Sequence, residues 1–146
     1  MNPALVYLAQ TDTTAGFLSQ DEKKLKQIKN RVDKKRFIIS VDSLKTLKTF
    51  TRTPKTDRKM IRRVKKTTIV YQNNQAIRVV KDKNHLRFLK KIKWSYSTSS
   101  NSAGHEFEES FAKNSADVII YNKYGFSEKK SSMIIKCGKI TKRRLR

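Results

Sequence analysis

Two stretches rich in hydroxyls follow apolar runs in this chain: "QTDTTAG", residues 10–16, after "ALVYLA", and "STSSNSAG", residues 97–104, beginning within "WSYS". Hydroxyls, one amide and the backbone N–H groups of a turn donate hydrogen bonds without the long flexible stem of lysine. That suits a small zwitterion or phosphate oxygens. Ligands tend to sit at the ends of strands in open sheets, so the two stretches could share one cleft. Read locally, ordinary turn chemistry also accounts for them, since Ser, Asn and Asp bond their own backbone. The cations that would complete such a site are Lys29 and Arg31, at the end of a helical run, and Arg78, inside "AIRVV". Two-residue periodicity sends Arg78 to the face opposite Ile77 and Val79, and a guanidinium is well shaped for a carboxylate or phosphate. A solvated strand face is the expectation for it, with a cleft as the alternative.

Other chemistries find no support. There is no Gly-rich loop of the G-x-x-x-x-G-K type, no G-x-S-x-G elbow and no acidic pair at metal spacing. A single cysteine, Cys137, excludes an intramolecular disulfide and reads as a small strand or turn residue, and two histidines give no zinc set. His85 and His105 are expected on helix surfaces, and Trp94, Tyr96, Phe107 and Phe111 in the core.

These residues need elements to hold them. "ALVYLA" reads as a buried strand, followed by a helix with a capping-box start at Ser19 and Glu22 and with Leu25 and Ile28 on one face. "RFIISV" (36–41) is β-branched and apolar enough for a central strand, and Asp42 is placed to cap a helix carrying Leu44, Leu47 and Phe50. Thr53-Pro54 opens another helix, "PKTDRKMIRRVKK", with seven basic residues and few apolar ones, so most of its surface must face solvent or phosphate. "TTIVYQ" and "QAIRVV" flank Asn73-Asn74 as an antiparallel hairpin. Asp82 caps the next helix; "WSYS" is a strand, "HEFEESFAKN" a helix, "DVIIY" a strand, and two short strands flank Cys137-Gly138. The expected fold class is α/β (α+β): one twisted, mixed parallel and antiparallel sheet with helices against it, in a single domain over 1–146.

The balance of 35 Lys and Arg against 12 Asp and Glu leaves a formal charge of +23, which points to a polyanionic partner such as nucleic acid. The start "MNPALVYLAQTD" reads as neither a signal core nor a membrane span, so a cytoplasmic protein without a membrane partner is expected.

In order and content, six motifs resemble those of the YrdC-type threonylcarbamoyl-AMP synthases. There a strand runs into P-T-[DE]-T-x-Y-G-L, matched by Thr11, Asp12, Thr13 and Gly16. K-x-R-P before a strand is matched by Lys29 and Arg31 in "KNRVDKKRFIISV". The family's A-V-R-V is matched at Arg78, S-T-S-A-N-x-S-G at residues 97–104, the A-D segment by "ADVIIY" and S-T-[VI]-[VI] by "SSMII". A terminal strand containing arginine has Arg143 or Arg144 as its candidate. The departures are Gln10 and Val32 in place of prolines, Ala15 in place of tyrosine, and "VKKTT" where a P-G-P segment is usual. With no counterpart of the helix that precedes the first strand, the expectation is a reduced member.

The resemblance implies a nucleotidyltransferase that condenses L-threonine, bicarbonate and ATP into threonylcarbamoyl-AMP and pyrophosphate. Its product serves the modification of adenosine 37 in tRNA, alongside other tRNA-modification proteins. It implies nucleotide binding by Lys29, Arg31, Ser99 and Arg143, threonine binding by Thr11, Arg78, Ser97 and Ser131, and a loop shaped by Asn101 and Gly104. ATP is then a substrate that brings its own Mg²⁺, with no tightly bound cofactor. The alternative is a non-catalytic protein of the same fold that binds tRNA or double-stranded RNA.

Overall fold

The computed structural model describes residues 1–30, 36–102, 104–138 and 142–146. Among these residues, nine strands form one sheet and five helices accompany it; the strands are β1 (Tyr7–Gln10), β2 (Ala15–Ser19), β3 (Ile38–Val41), β4 (Thr67–Val70), β5 (Ala76–Val79), β6 (Trp94–Ser99), β7 (Val118–Ile120), β8 (Met133–Cys137) and β9 (Lys142–Arg144). The helices are α1 (Glu22–Ile28), α2 (Leu44–Phe50), α3 (Lys55–Arg63), α4 (Lys83–Ile92) and α5 (Glu109–Asn114). The spatial order is β7-β1-β2-β6-β3-β5-β4-β8-β9. β1/β7, β3/β5 and β4/β8 pair in parallel and the other neighbours antiparallel, so the sheet is mixed, as the hairpin in the sequence requires.

The register sorts side chains by face. On one side Leu8, Ala15 and Phe17 pack against Leu25 of α1 and Ala112 of α5, and Ile39, Val41, Ile69 and Ile77 pack against Leu47 of α2 and Ile61 of α3. Each of the Leu, Ile, Val and Phe side chains among these contributes about 1.5–3 kcal/mol, and the alanines less. On the other side Tyr7, Ala9, Leu18 and Val80 are covered by Phe88, Leu89 and Ile92 of α4. That second face then changes character: across β6, β3 and β5, Ser95, Ser40 and Arg78 stand in one row, all buried.

Several elements differ from the sequence expectation. "QTDTTAG" is a loop only as far as Thr14; Ala15 and Gly16 already belong to β2, which turns back antiparallel along β1. A five-residue strand this short and small-sided carries too little periodicity to announce itself. The cap of α1 is Asp21, whose carboxylate accepts from the N–H groups of Lys23 and Lys24, while Ser19 Oγ accepts from Asp21 N. Likewise Ser43, not Asp42, caps α2 through Thr46 N; Asp42 instead accepts from the Thr46 hydroxyl. The helix expected over 105–114 begins at Glu109, leaving Phe107 to pack from the preceding loop. Pro54 and Asp82 begin α3 and α4 as expected, and Asn74, at φ 58°, closes the β4–β5 hairpin. Among the described residues no helix is long and apolar enough to cross a membrane.

Candidate functional site

Two polar clusters meet where β2 runs beside β6. The first is built by the end of α1. Asn30 adopts a left-handed backbone, φ 44°, which stops the helix as such residues do one step past a cap. The side chain of Lys29, just before it, is 4% exposed and crosses to the hydroxyl loop. Its ammonium donates to Ser99 O at 3.0 Å, to Asn101 Oδ1 at 3.0 Å and to Asn101 O. Ser99 Oγ donates to Asn101 Oδ1 at 2.5 Å, and Asn101 Nδ2 donates to His105 O. A buried ammonium surrounded by carbonyl oxygens and an amide pins the loop, and it places positive charge beside the hydroxyls that the loop displays.

The second cluster is built by the first loop and β5. Thr11 Oγ1 donates to Thr14 O at 2.6 Å and accepts from the N–H groups of Thr13 and Thr14, so this hydroxyl closes its own turn. The turn delivers Asp12 and Thr13 to Arg78. Arg78 Nη1 lies 3.2 Å from Asp12 Oδ1 and donates to Thr13 Oγ1 at 3.4 Å, in a setting where Arg78 is 3% exposed. The ion pair lacks hydrogen-bond alignment, and Arg78 Nε has no hydrogen-bond partner among the described residues. His85 of α4 reaches the same carboxylate from above, Nδ1 to Oδ1 3.8 Å, beyond a direct hydrogen bond.

Electrostatics follow from burial and proximity. Desolvation by itself would raise the Asp12 carboxyl, but His85 and Arg78 outweigh it and hold it below its ordinary value. Burial pushes the Arg78 guanidinium down, Asp12 opposes that, and Arg146 adds to the push. Burial also lowers His85, while Asp12 pulls it the other way. The result is a carboxylate, a guanidinium and an imidazole at the buried edge of a row of serines.

The two clusters are continuous. Gly16 is paired with Ser99, and Ser100 N donates to Ala15 O at 3.1 Å. A Cβ at Gly16 would lie 2.8 Å from Thr98 O and 3.3 Å from Thr11 Cγ2, so only glycine lets the two loops approach this closely. Contacts thus run without a break from Lys29 through Ser99, Gly16, Thr11 and Thr13 to Arg78. Ser97 is buried on the face that bears Ser95, Ser40 and Arg78. Gly104, at φ 80°, sits in the loop with open space where a Cβ would be.

Other expected site residues fall differently. Arg31 lies outside the described residues. Ser131 is exposed, whereas Ser132 is buried and shares a 3.1 Å hydrogen bond with Thr68 on Arg78's face of the sheet. Arg143, paired with Lys136, is on that face and Arg144, paired with Ile135, on the other; both are exposed on the edge strand. Arg146, which no sequence motif marks, donates through Nε to Ser132 O at 3.0 Å and acts on Arg78 electrostatically.

Two sequence expectations are corrected. Arg78 is not on a solvated strand face: α4 and the first loop cover it, and Asp12 offsets part of the cost of burial. His85 is not on a helix surface, being 2% exposed and turned toward Asp12. The serines of "SYSTS" at every second residue, and the lone Ser40 in "IISV", were the legible signal for the polar face.

Among the described residues no group of three or more His, Cys, Asp or Glu could hold a metal ion. A groove of about 740 Å³ bounded by Phe50, Pro54, Asp57, Tyr71 and Cys137 shares no residue with the two clusters.

By sequence, no protein-family model and no curated protein matches the chain. By structure, it is similar to Sua5 of P. abyssi, both as the H234A/Y235A variant (16% identity, TM-score 0.82) and complexed with L-threonine (17%, 0.81). In each case 98% of this chain is covered but only 49% and 50% of the other, so it spans about half the length of those proteins. It is also similar to E. coli YciO, at 18% identity and TM-score 0.74, covering 98% of this chain and 82% of that one. The YrdC-type fold that the motifs implied is the fold this chain has, that of Sua5 and YciO.

Proposed function

We propose that the chain is a threonylcarbamoyl-AMP synthase acting in the threonylcarbamoyl modification of tRNA adenosine. The observation that carries this reading is the unbroken line of contacts from Lys29 and the Ser99–Asn101 loop to the buried Arg78. It sets an ammonium and a guanidinium at opposite ends of one strip of hydroxyls. A Sua5 structure holding L-threonine on the same fold supports a threonine site here.

In this reading the threonine carboxylate docks on Arg78, whose Nε is unpartnered, and on the hydroxyls of Thr13 and Ser97. The threonine amine adds to bicarbonate with loss of water, giving a carbamate. A carbamate oxygen then attacks the α-phosphorus of ATP, and pyrophosphate leaves with its Mg²⁺. Lys29, with Arg31 expected beside it, stabilises charge growing on the phosphoryl oxygens. Such a reaction asks the protein for positioning and for cations already in place, more than for covalent help.

The test is pyrophosphate release in the presence of ATP, L-threonine and bicarbonate, with omission of each as control. Release that requires all three supports the reading, and Lys29→Ala is expected to abolish it while RNA binding is kept. Release at background from folded protein removes the enzyme and leaves the second reading, a non-catalytic RNA-binding protein of the same fold. That reading is favoured by the charge of +23 and by the outer side of α3, where Lys55, Lys59, Arg62 and Arg63 are exposed together.

A further inference from the structure

β1 and β7 run parallel, and beyond their carboxyl ends a groove of about 450 Å³ opens between α4 and the turn at 121–124. Crevices at such strand ends are where ligands sit in open α/β sheets. The lining is basic and aromatic. Arg87 and Lys91, one turn apart and exposed on α4, contribute with Lys123 from the turn, and among the described residues no Asp or Glu lines the groove. Tyr121 and Tyr124 also line it and are 65% and 79% exposed, which is unusual in a chain that buries most of its large apolar side chains. Lys123 Nζ stands 4.8 Å from the Tyr124 ring centroid and Lys113 Nζ 5.7 Å from that of Tyr121, so each exposed ring has a cation beside it. His85, nearly fully buried, also lines the groove, and neither of its ring nitrogens has a hydrogen-bond partner.

We infer that this groove binds unpaired nucleotides of a single-stranded nucleic acid, with bases stacked on Tyr121 and Tyr124 and phosphates held by Arg87, Lys91 and Lys123. Exposed aromatic rings interleaved with cations match the chemistry of a nucleotide, which offers a flat π face and an anion at fixed spacing. A duplex keeps its base faces inside the stack and would leave both tyrosines idle. An acidic peptide would use the cations but gives no reason for the rings. The inference stands apart from the synthase reading: the groove shares no residue with the Lys29 cluster and meets the Arg78 cluster only through His85.

The experiment is fluorescence anisotropy with a labelled single-stranded oligoadenylate, and with an RNA duplex in parallel, on the full chain. The variant Tyr121→Ala/Tyr124→Ala should weaken single-strand binding roughly tenfold or more and leave duplex binding within about twofold. Tyr121→Phe/Tyr124→Phe, which keeps both π faces, should bind as the parent does. Both tyrosines are exposed, and an unchanged melting temperature checks that the alanine variant is folded. Unaltered single-strand affinity in the alanine variant overturns the inference, as does an equal loss for single strand and duplex. Displacement of the oligonucleotide by polyglutamate at equal charge overturns it too, in favour of an acidic protein partner. None of these readouts depends on pyrophosphate release.

Discussion

Ile39 and Ile77 on one side of the central sheet and Ser40 and Arg78 on the other come from the same two strands, one residue apart. The apolar side is covered by α2 and α3 and filled by Leu47 and Ile61, and its unmet polar atoms, Thr53 Oγ1 and Arg58 Nε, belong to α3 and its approach rather than to the sheet. The polar side holds Ser40 Oγ, Ser95 Oγ, Arg78 Nε, Asp12 Oδ1 and both nitrogens of His85, all buried and without hydrogen-bond partners among the described residues. Buried polar groups are rarely left so, because each unmet group costs stability. One face is therefore organised for folding, and the other keeps buried polar groups that the proposed function would use for binding.

The largest expected effect comes from cutting the polar side at its ion pair. Arg78→Met leaves Asp12 charged and buried, and should cost about 3–5 kcal/mol in urea unfolding. Adding Asp12→Asn should recover part of that loss. A loss below about 1 kcal/mol would mean that water screens the pair and that the two faces differ less than their burial implies. Ile77→Ala, the neighbouring residue on the apolar side, should cost about 2–5 kcal/mol through the cavity it opens, with L-threonine affinity by calorimetry unchanged.

A smaller effect is set by pH. Burial lowers the pKa of His85, so in the folded chain the ring resists protonation while in the unfolded chain it accepts a proton. The unfolded state then binds more protons below the ordinary histidine value of 6.5, and stability should decline as pH falls through that value. Melting temperatures across this range should show the decline in the parent and its loss in His85→Phe; an identical profile would place the titration elsewhere. The smallest effect belongs to Ser40→Ala. Its hydroxyl is buried without a partner, so removal should leave stability unchanged or raise it by up to about 1 kcal/mol, while weakening L-threonine binding. A clear destabilisation would show that Ser40 serves the fold and not a ligand.

Much of this contrast can be read along the chain. The alternation of Ile77-Arg78-Val79 and of the serines at 95, 97 and 99 assigns faces before any coordinates, and the hydroxyl loops, Lys29 and Arg78 stand in the order the motifs demand. What alternation cannot give is depth. A two-residue period says that Arg78 and Ile77 point apart, but not that α4 and the first loop will close over the arginine. His85 failed for a related reason. Beside Arg87, Lys90 and Lys91 it reads as one more polar residue on a basic helix, and its burial depends on Asp12, 73 positions away. β2 was hidden by the small residues Ala15 and Gly16, whose value lies in letting two backbones come close. Arg146 carries no signal of its own in the sequence, since Arg143 and Arg144 match the terminal-strand pattern as well.

The ends of the sheet have a consequence of their own. β7 and β9 are each three residues long, and β9 is Lys142-Arg143-Arg144, all exposed. A foreign strand seeking to extend the ladder would find few free backbone groups at one margin and a row of like charges at the other. This highly cationic chain should therefore resist growing into fibrils even at concentrations where its open, nine-stranded ribbon would otherwise invite self-addition.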